Sequence, residues 1–252
     1  MRRLPDTPIP TYLVETQASA NTHLADELGA LLKERPRNLV LGLATGSSPV
    51  GLYEELARRF QDEWIDFSFV RTFNLDEYRG LPAGHPTSYR TFMAEHLFSK
   101  VNLGPRNTHL PPTAADDLDE ACAAWEEALR AAGGVDWQLL GVGRNGHIGF
   151  NEPGSAFDSR TRKVELAEST REANARFFET REEVPAEAVT MGIGTILEAE
   201  RVRVLAFGPT KAEVLGKVLR GEDDESIPLN ALRRHHDAAL FIDEAAAAKL
   251  GC

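Results

Sequence analysis

With 252 residues, 42% apolar and 27% charged, the chain can bury a sizeable core in one large α/β domain or two small ones. A net charge of −11 excludes nucleic acid and anionic membrane as main partners, because both need a basic footprint; it leaves room for an anionic small molecule, since a few local cations can dominate one pocket. Cys122 and Cys252 fall in no CxxC or metal-ligand pattern and suit a reducing cytoplasm, Met1–Pro10 lacks the apolar run of a secretory signal, and no stretch approaches the roughly 20 apolar residues of a membrane span.

Along the chain, short apolar runs alternate with amphipathic stretches. Tyr12–Val14 starts a strand and Ala18–Lys33 has helical spacing. Asn38–Ala44 (NLVLGLA) is a buried-strand pattern, followed by a turn and a helical Pro49–Arg59. Val70–Asn74 is the next strand, Gly104–Asp119 with its three prolines a surface loop, and Glu120–Ala132 a helix. Trp137–Val142, Val202–Phe207 and Ala239–Ile242 complete the strands, with a helix over Lys211–Arg220. Continuous apolar strands between helices predict one domain with a mostly parallel sheet, covered on both faces and binding its ligand along the carboxyl edge.

Three loops at that edge carry chemistry. In Ala44–Pro49, Gly46 permits a tight turn, Ser48 suits an N-cap, and Thr45, Ser47 and the helix start can receive an anion. The same pattern also suits a plain capped turn. In Thr72–Tyr78, Asp76 and Glu77 follow a strand, where a shielded Asp76 can act as a general base and Glu77 orient its neighbours. The stretch Gly141–Gly154 contains G-x-G-x-x-G, but Gly149, Pro153 and Gly154 mark it as loop rather than the helix that a dinucleotide site requires. Within it, His147 can move protons near neutral pH and Glu152 can fix its tautomer, if the loop brings them together. His235–His236 with Asp237 reads as an exposed turn, not a metal site.

The segments LGLATGSSPVGLYEEL, TFNLDEYRGLPAGHPTSYRTFM, LLGVGRNGHIGFNEPGSAFDSRTR, STREANARFF, TMGIGTILEAE and FGPTKA, in this order, resemble the glucosamine-6-phosphate deaminase family from about Leu41 onward. The resemblance implies a Rossmann-like α/β fold. It implies aldose–ketose isomerisation and deamination of glucosamine 6-phosphate to fructose 6-phosphate and ammonia. Asp76 then matches the base that moves a proton from C2 to C1, His147 handles the ring-oxygen proton, Glu152 supports it, and Asn145, which cannot titrate, orients His147 or substrate. Phosphate contacts carry over to Thr45, Gly46, Ser47, Arg171 and Lys211, although by themselves Arg171 suits an exposed partner of Glu168 or Glu172 and Lys211 a surface lysine. Residues 155–178 match a lid over the site. No metal or organic cofactor is expected, so a chelator should have no effect.

Some relatives are hexamers activated by N-acetylglucosamine 6-phosphate, which leaves homo-oligomerisation open here. Ser155 and Arg162 match two effector contacts, but Val164 stands where the effector lysine belongs and the sequence stops at Cys252, so strong activation is not expected. Two other readings compete: a 6-phosphogluconolactonase, which needs an activated water instead of a C2 base, and a non-catalytic sugar-phosphate sensor.

Overall fold

A computed structural model describes residues 1–221 and 224–250, so Cys252 lies outside the described residues. In chain order the elements are β1 (Arg2–Arg3), β2 (Thr11–Leu13), α1 (Gln17–Glu34), β3 (Val40–Leu43), α2 (Val50–Gln61), β4 (Arg71–Asn74), β5 (Asp76–Tyr78) and α3 (Tyr89–Met93). There follow β6 (Thr108–His109), α4 (Leu118–Ala131), β7 (Trp137–Gly141), β8 (Arg162–Glu165), α5 (Glu168–Asn174) and β9 (Glu187–Thr190). The last are α6 (Ile193–Leu197), β10 (Val202–Ala206), α7 (Ala212–Leu219), β11 (Ala238–Ile242) and α8 (Glu244–Ala247).

The apolar runs form an eight-stranded sheet in the order β1-β2-β11-β10-β7-β3-β4-β6, parallel except for β1. Its central strands read as unbroken apolar stretches because both faces are covered: every residue of β3, β10 and β11 is buried. Trp137, Phe67 and Phe73 are among the largest fully buried side chains. Helix α1 starts with a capping box, in which Thr16 accepts from Ser19 N and Ser19 accepts from Thr16 N.

Three details depart from the sequence reading. Pro49, not Ser48, is the N-cap of α2, and no side chain caps that helix. The stretch 104–119 is not all loop, since it contains the edge strand β6 and the first turn of α4. Finally, β5, β9 and β8 form a second, antiparallel sheet that the apolar pattern does not announce. The chain passes from the large sheet to the small one at Leu75. There Leu75 N donates to Leu43 O at 3.0 Å, and Leu75 O accepts from Met191 N at 2.6 Å. Asp76 is the first residue beyond this bend.

Candidate active site at the carboxyl edge

Strands β3, β4, β7 and β10 run parallel, so the segments that leave them emerge along one edge. These are the 44–49 loop, the Leu75 bend, the 142–154 loop and the turn over Pro209–Lys211. Gly46 has φ +96° and faces open space, so its backbone is free to lie against a ligand. The Tyr53 hydroxyl donates to Ala44 O at 2.5 Å and steadies the start of this loop. Thr45 interacts with the Tyr89 hydroxyl.

Asp76 is 6% exposed and has no ion-pair partner among the described residues. Burial, and then the neighbouring Glu77 charge, push its carboxyl up to about 8. Tyr53, Tyr78 and Tyr89 all feel its charge. Gly149 also borders it: a Cβ there would stand 3.4 Å from Asp76 Oδ2 and 3.0 Å from Thr190 Oγ1. Glu77 has a different task. Its carboxylate accepts from Tyr78 N, Tyr89 N and Arg90 N at 2.8–2.9 Å, capping α3 and fixing the strand that carries Asp76.

The 142–154 loop brings His147 and Glu152 together. His147 Nδ1 lies 3.6 Å from Glu152 Oε1, within ion-pair range but beyond a direct hydrogen bond. That nitrogen is buried and has no hydrogen-bond partner, whereas Glu152 is well held. It accepts from Asn145 Nδ2 at 2.8 Å and from the Thr170 hydroxyl of α5. Burial opposes the Glu152 carboxylate, but His147, Thr170 and Asn145 outweigh it and hold its pKa down to about 2. Asn145 Oδ1 accepts from His147 N at 3.2 Å, so this amide orients both members of the pair. A Cβ on Gly143 would collide with the imidazole, so glycine is required beneath the ring.

Of the two cations that the resemblance assigns to the phosphate, Arg171 keeps a buried Nε with no hydrogen-bond partner among the described residues. Arg171 Nη2 donates to Val184 O at 3.1 Å and Nη1 lies 3.6 Å from Glu168, the local partner foreseen for it on its own. The groups that act on Lys211 are others. Burial lowers the Lys211 proton affinity first, then the positive charges of Arg144 and Arg176. Arg176 follows α5 in a single 3₁₀ turn and stacks on Phe177 at 4.6 Å. Ser155 and Arg162 do meet, at 3.5 Å, and Arg162 also donates to Asn151 at 2.9 Å. His235 is occupied by Ala199 O and Asp237 N, and the described residues contain no cluster of metal-ligating groups.

A mostly parallel α/β sheet with a buried carboxylate and a His–Glu pair on its carboxyl edge defines a Rossmann-like protein with a candidate acid–base site. Residues 14–241 match the glucosamine-6-phosphate isomerases/6-phosphogluconolactonase family, and the chain belongs to it. It is 50% identical to a glucosamine-6-phosphate deaminase of Clostridioides difficile, over 90% of each chain. It is 52% identical to one of Shewanella loihica, over 87% of this chain and 81% of that protein. A solved monomeric glucosamine-6-phosphate deaminase superposes with a TM-score of 0.91 and 43% identity, over 95% of this chain and 99% of that one. The 6-phosphogluconolactonase of Trypanosoma brucei, at 20% identity and a TM-score of 0.74, shares the fold alone.

Proposed function

We propose that this enzyme converts glucosamine 6-phosphate and water to fructose 6-phosphate and ammonia. The observation that carries the reading is Asp76, a buried carboxylate bordering Gly149, two residues from His147 in the same loop. After His147 has helped open the sugar ring by moving the ring-oxygen proton, Asp76 takes the proton from C2 and returns it to C1. The aldehyde becomes a C1 alcohol and the C2 amine an imine. Water adds to that imine, ammonia leaves, and the C2 ketone remains. Glu152 and Asn145 keep the imidazole in place through these steps.

We assign the phosphate to Thr45, Gly46, Ser47, Arg171 and Lys211; the open backbone at Gly46 and the buried, unpartnered Nε of Arg171 support this reading. Holding the far end of the opened chain gives the orientation that proton transfer at C2 needs. We assign residues 155–178 the role of a covering segment, because Thr170 within it bonds Glu152. A cytoplasmic setting is proposed on the buried free thiol of Cys122; none of the described helices is long and apolar enough to cross a membrane.

The test is incubation with glucosamine 6-phosphate while ammonia and fructose 6-phosphate are measured. Asp76→Asn should lower turnover by about 10²- to 10⁴-fold while substrate still binds. Wild-type turnover in that variant, or lactone hydrolysis without ammonia release by the wild type, would overturn the assignment.

A further inference from the structure

Two fully buried polar residues, Thr190 and Asn151, take no part in the chemistry above, yet both stand between its two halves. Strand β9 ends where Thr190 pairs with Asp76 of β5. The next residue, Met191, donates its N–H to Leu75 O at 2.6 Å, which fixes β9 against the bend that carries the proton acceptor. From the same place Thr190 Oγ1 accepts from Phe150 N at 3.1 Å, and Met191 O accepts from Asn151 Nδ2 at 2.9 Å. Asn151 Nδ2 also donates to Ile148 O at 2.9 Å, closing the loop on itself, and Asn151 Oδ1 accepts from Arg162 at 2.9 Å. The loop that bears His147 is thus bonded to the same two residues as the strand that bears Asp76.

The result is a close approach of backbone to carboxylate. Gly149 has φ +57°, and a Cβ on it would stand 3.0 Å from Thr190 Oγ1 and 3.4 Å from Asp76 Oδ2. Bare backbone therefore covers Asp76 from the loop side, where a looser loop would admit water. The Thr190 hydroxyl suits this task because its direction is fixed: it donates to Met191 O at 3.3 Å and turns a lone pair to Phe150 N. A valine would fill the same space and make neither bond.

We propose that Thr190 is a positioning residue for the proton transfer: its hydroxyl seats the Gly149–Phe150 backbone against Asp76 and so sets the spacing between the proton acceptor and the His147–Glu152 pair, with Asn151 as the second tie. This deepens the function proposed above and rests on it for the identity of the reaction. The charged and titratable groups around Asp76 are Glu77 beside it, the hydroxyls of Tyr53, Tyr78 and Tyr89, the His147–Glu152 pair in the facing loop, and Arg162 across Thr190. Replacing Thr190 changes none of them, so an altered Asp76 reports the spacing.

Thr190→Val is the test, with ammonia release from glucosamine 6-phosphate followed across about pH 5 to 9. Turnover should fall about tenfold while KM stays within about twofold. The acid limb of kcat/KM should move down by about one pH unit, because water reaching Asp76 eases its ionisation. Thr190→Ser, which keeps the hydroxyl, should recover both. Gly149→Ala pushes the loop off Thr190 from the other side; it should reproduce both effects, and it serves alone if Thr190→Val does not fold. Wild-type turnover and an unmoved acid limb in a folded Thr190→Val or Gly149→Ala, or a Thr190→Ser as impaired as the valine, overturn the proposal. If the wild type releases no ammonia, the deaminase reading fails by itself, and the carboxyl ¹³C shift of Asp76 then follows its titration. A lower midpoint in Thr190→Val keeps the positioning role, and an equal midpoint overturns it.

Discussion

Asp76 must be an anion to take a proton, yet its surroundings favour the neutral acid. Its carboxyl sits at about 8 in the folded chain, against about 3.9 for an unfolded aspartate. Between these values the folded protein holds a proton that the unfolded chain has released. Stability from this group is therefore greatest near pH 4, falls as pH rises to 8, and is flat above. Asp76→Asn has no such proton to lose. Its melting temperature should match wild type at pH 4 and exceed it at pH 9, and melts across that range check this; an offset independent of pH would refute the burial argument. Glu152, held near 2, stays charged in the folded chain while the unfolded glutamate takes up protons below about pH 5, so it adds a slope of opposite sign at the acid end that is common to wild type and variant and cancels in the comparison. At this scale the sequence was informative about proximity: Asn145, His147 and Glu152 stand in one readable stretch and do meet, and Asp76, at the end of another, borders Gly149 of that loop. It was less informative for the cations assigned to the phosphate, because Arg171 and Lys211 stand in separate segments, α5 and the turn before α7, and nothing in either segment relates them.

Residues 155–178 are anchored at one end by an element that looks ordinary in sequence. Glu126, 4% exposed on α4, accepts from Thr161 N at 2.9 Å, Thr161 Oγ1 at 2.5 Å and Thr195 Oγ1 at 2.6 Å, and pairs with Arg160. From the other side, Ser159 O accepts from Gly194 N at 2.9 Å and Ser159 Oγ from Ile193 N at 3.1 Å. A Cβ on Gly192 would overlap the Ser159 carbonyl, so the two backbones touch directly. Residues 158–161 form a fixed foot from which β8 and α5 extend. Glu126→Gln keeps the size but loses the charge that holds Arg160 and the two threonines. It should raise KM several-fold and speed tryptic cleavage within 155–178, both of which leave a merely surface glutamate unmoved. Kinetics and timed digestion of the two proteins check this. The large sheet was legible because its strands are unbroken apolar runs. The small sheet was not: β5 reads DEY and β8 reads RKVE, with alternate residues of β8 exposed, and their partner β9 lies more than 20 residues away from β8 and more than 100 from β5. Ser48 misled for a simpler reason, since Pro49 starts the helix without any side-chain cap.

The main apolar core takes in Leu75, Ile148 and Met191 at the sheets' junction beside Trp137, and the small sheet adds two smaller clusters, around Tyr78 and around Val189. Unfolding should accordingly be a single transition by fluorescence and by calorimetry. Trp137 is fully buried in β7 at the sheet centre, its indole N–H 3.3 Å from Glu27 Oε2. Trp137→Ala should cost about 3–5 kcal/mol and lower the melting temperature by roughly 10 °C, without shifting KM in the fraction that stays folded. Two separate transitions would show that the small sheet has its own stability.

The bend at Leu75 has a mechanical corollary. Asp76 opens one strand of the three-stranded sheet, and β8, which lies within residues 155–178, is the outer strand of that same sheet, tied to Asp76 across Thr190. Any displacement of β8 would therefore reach Asp76 through Thr190, because the same residue pairs with both strands.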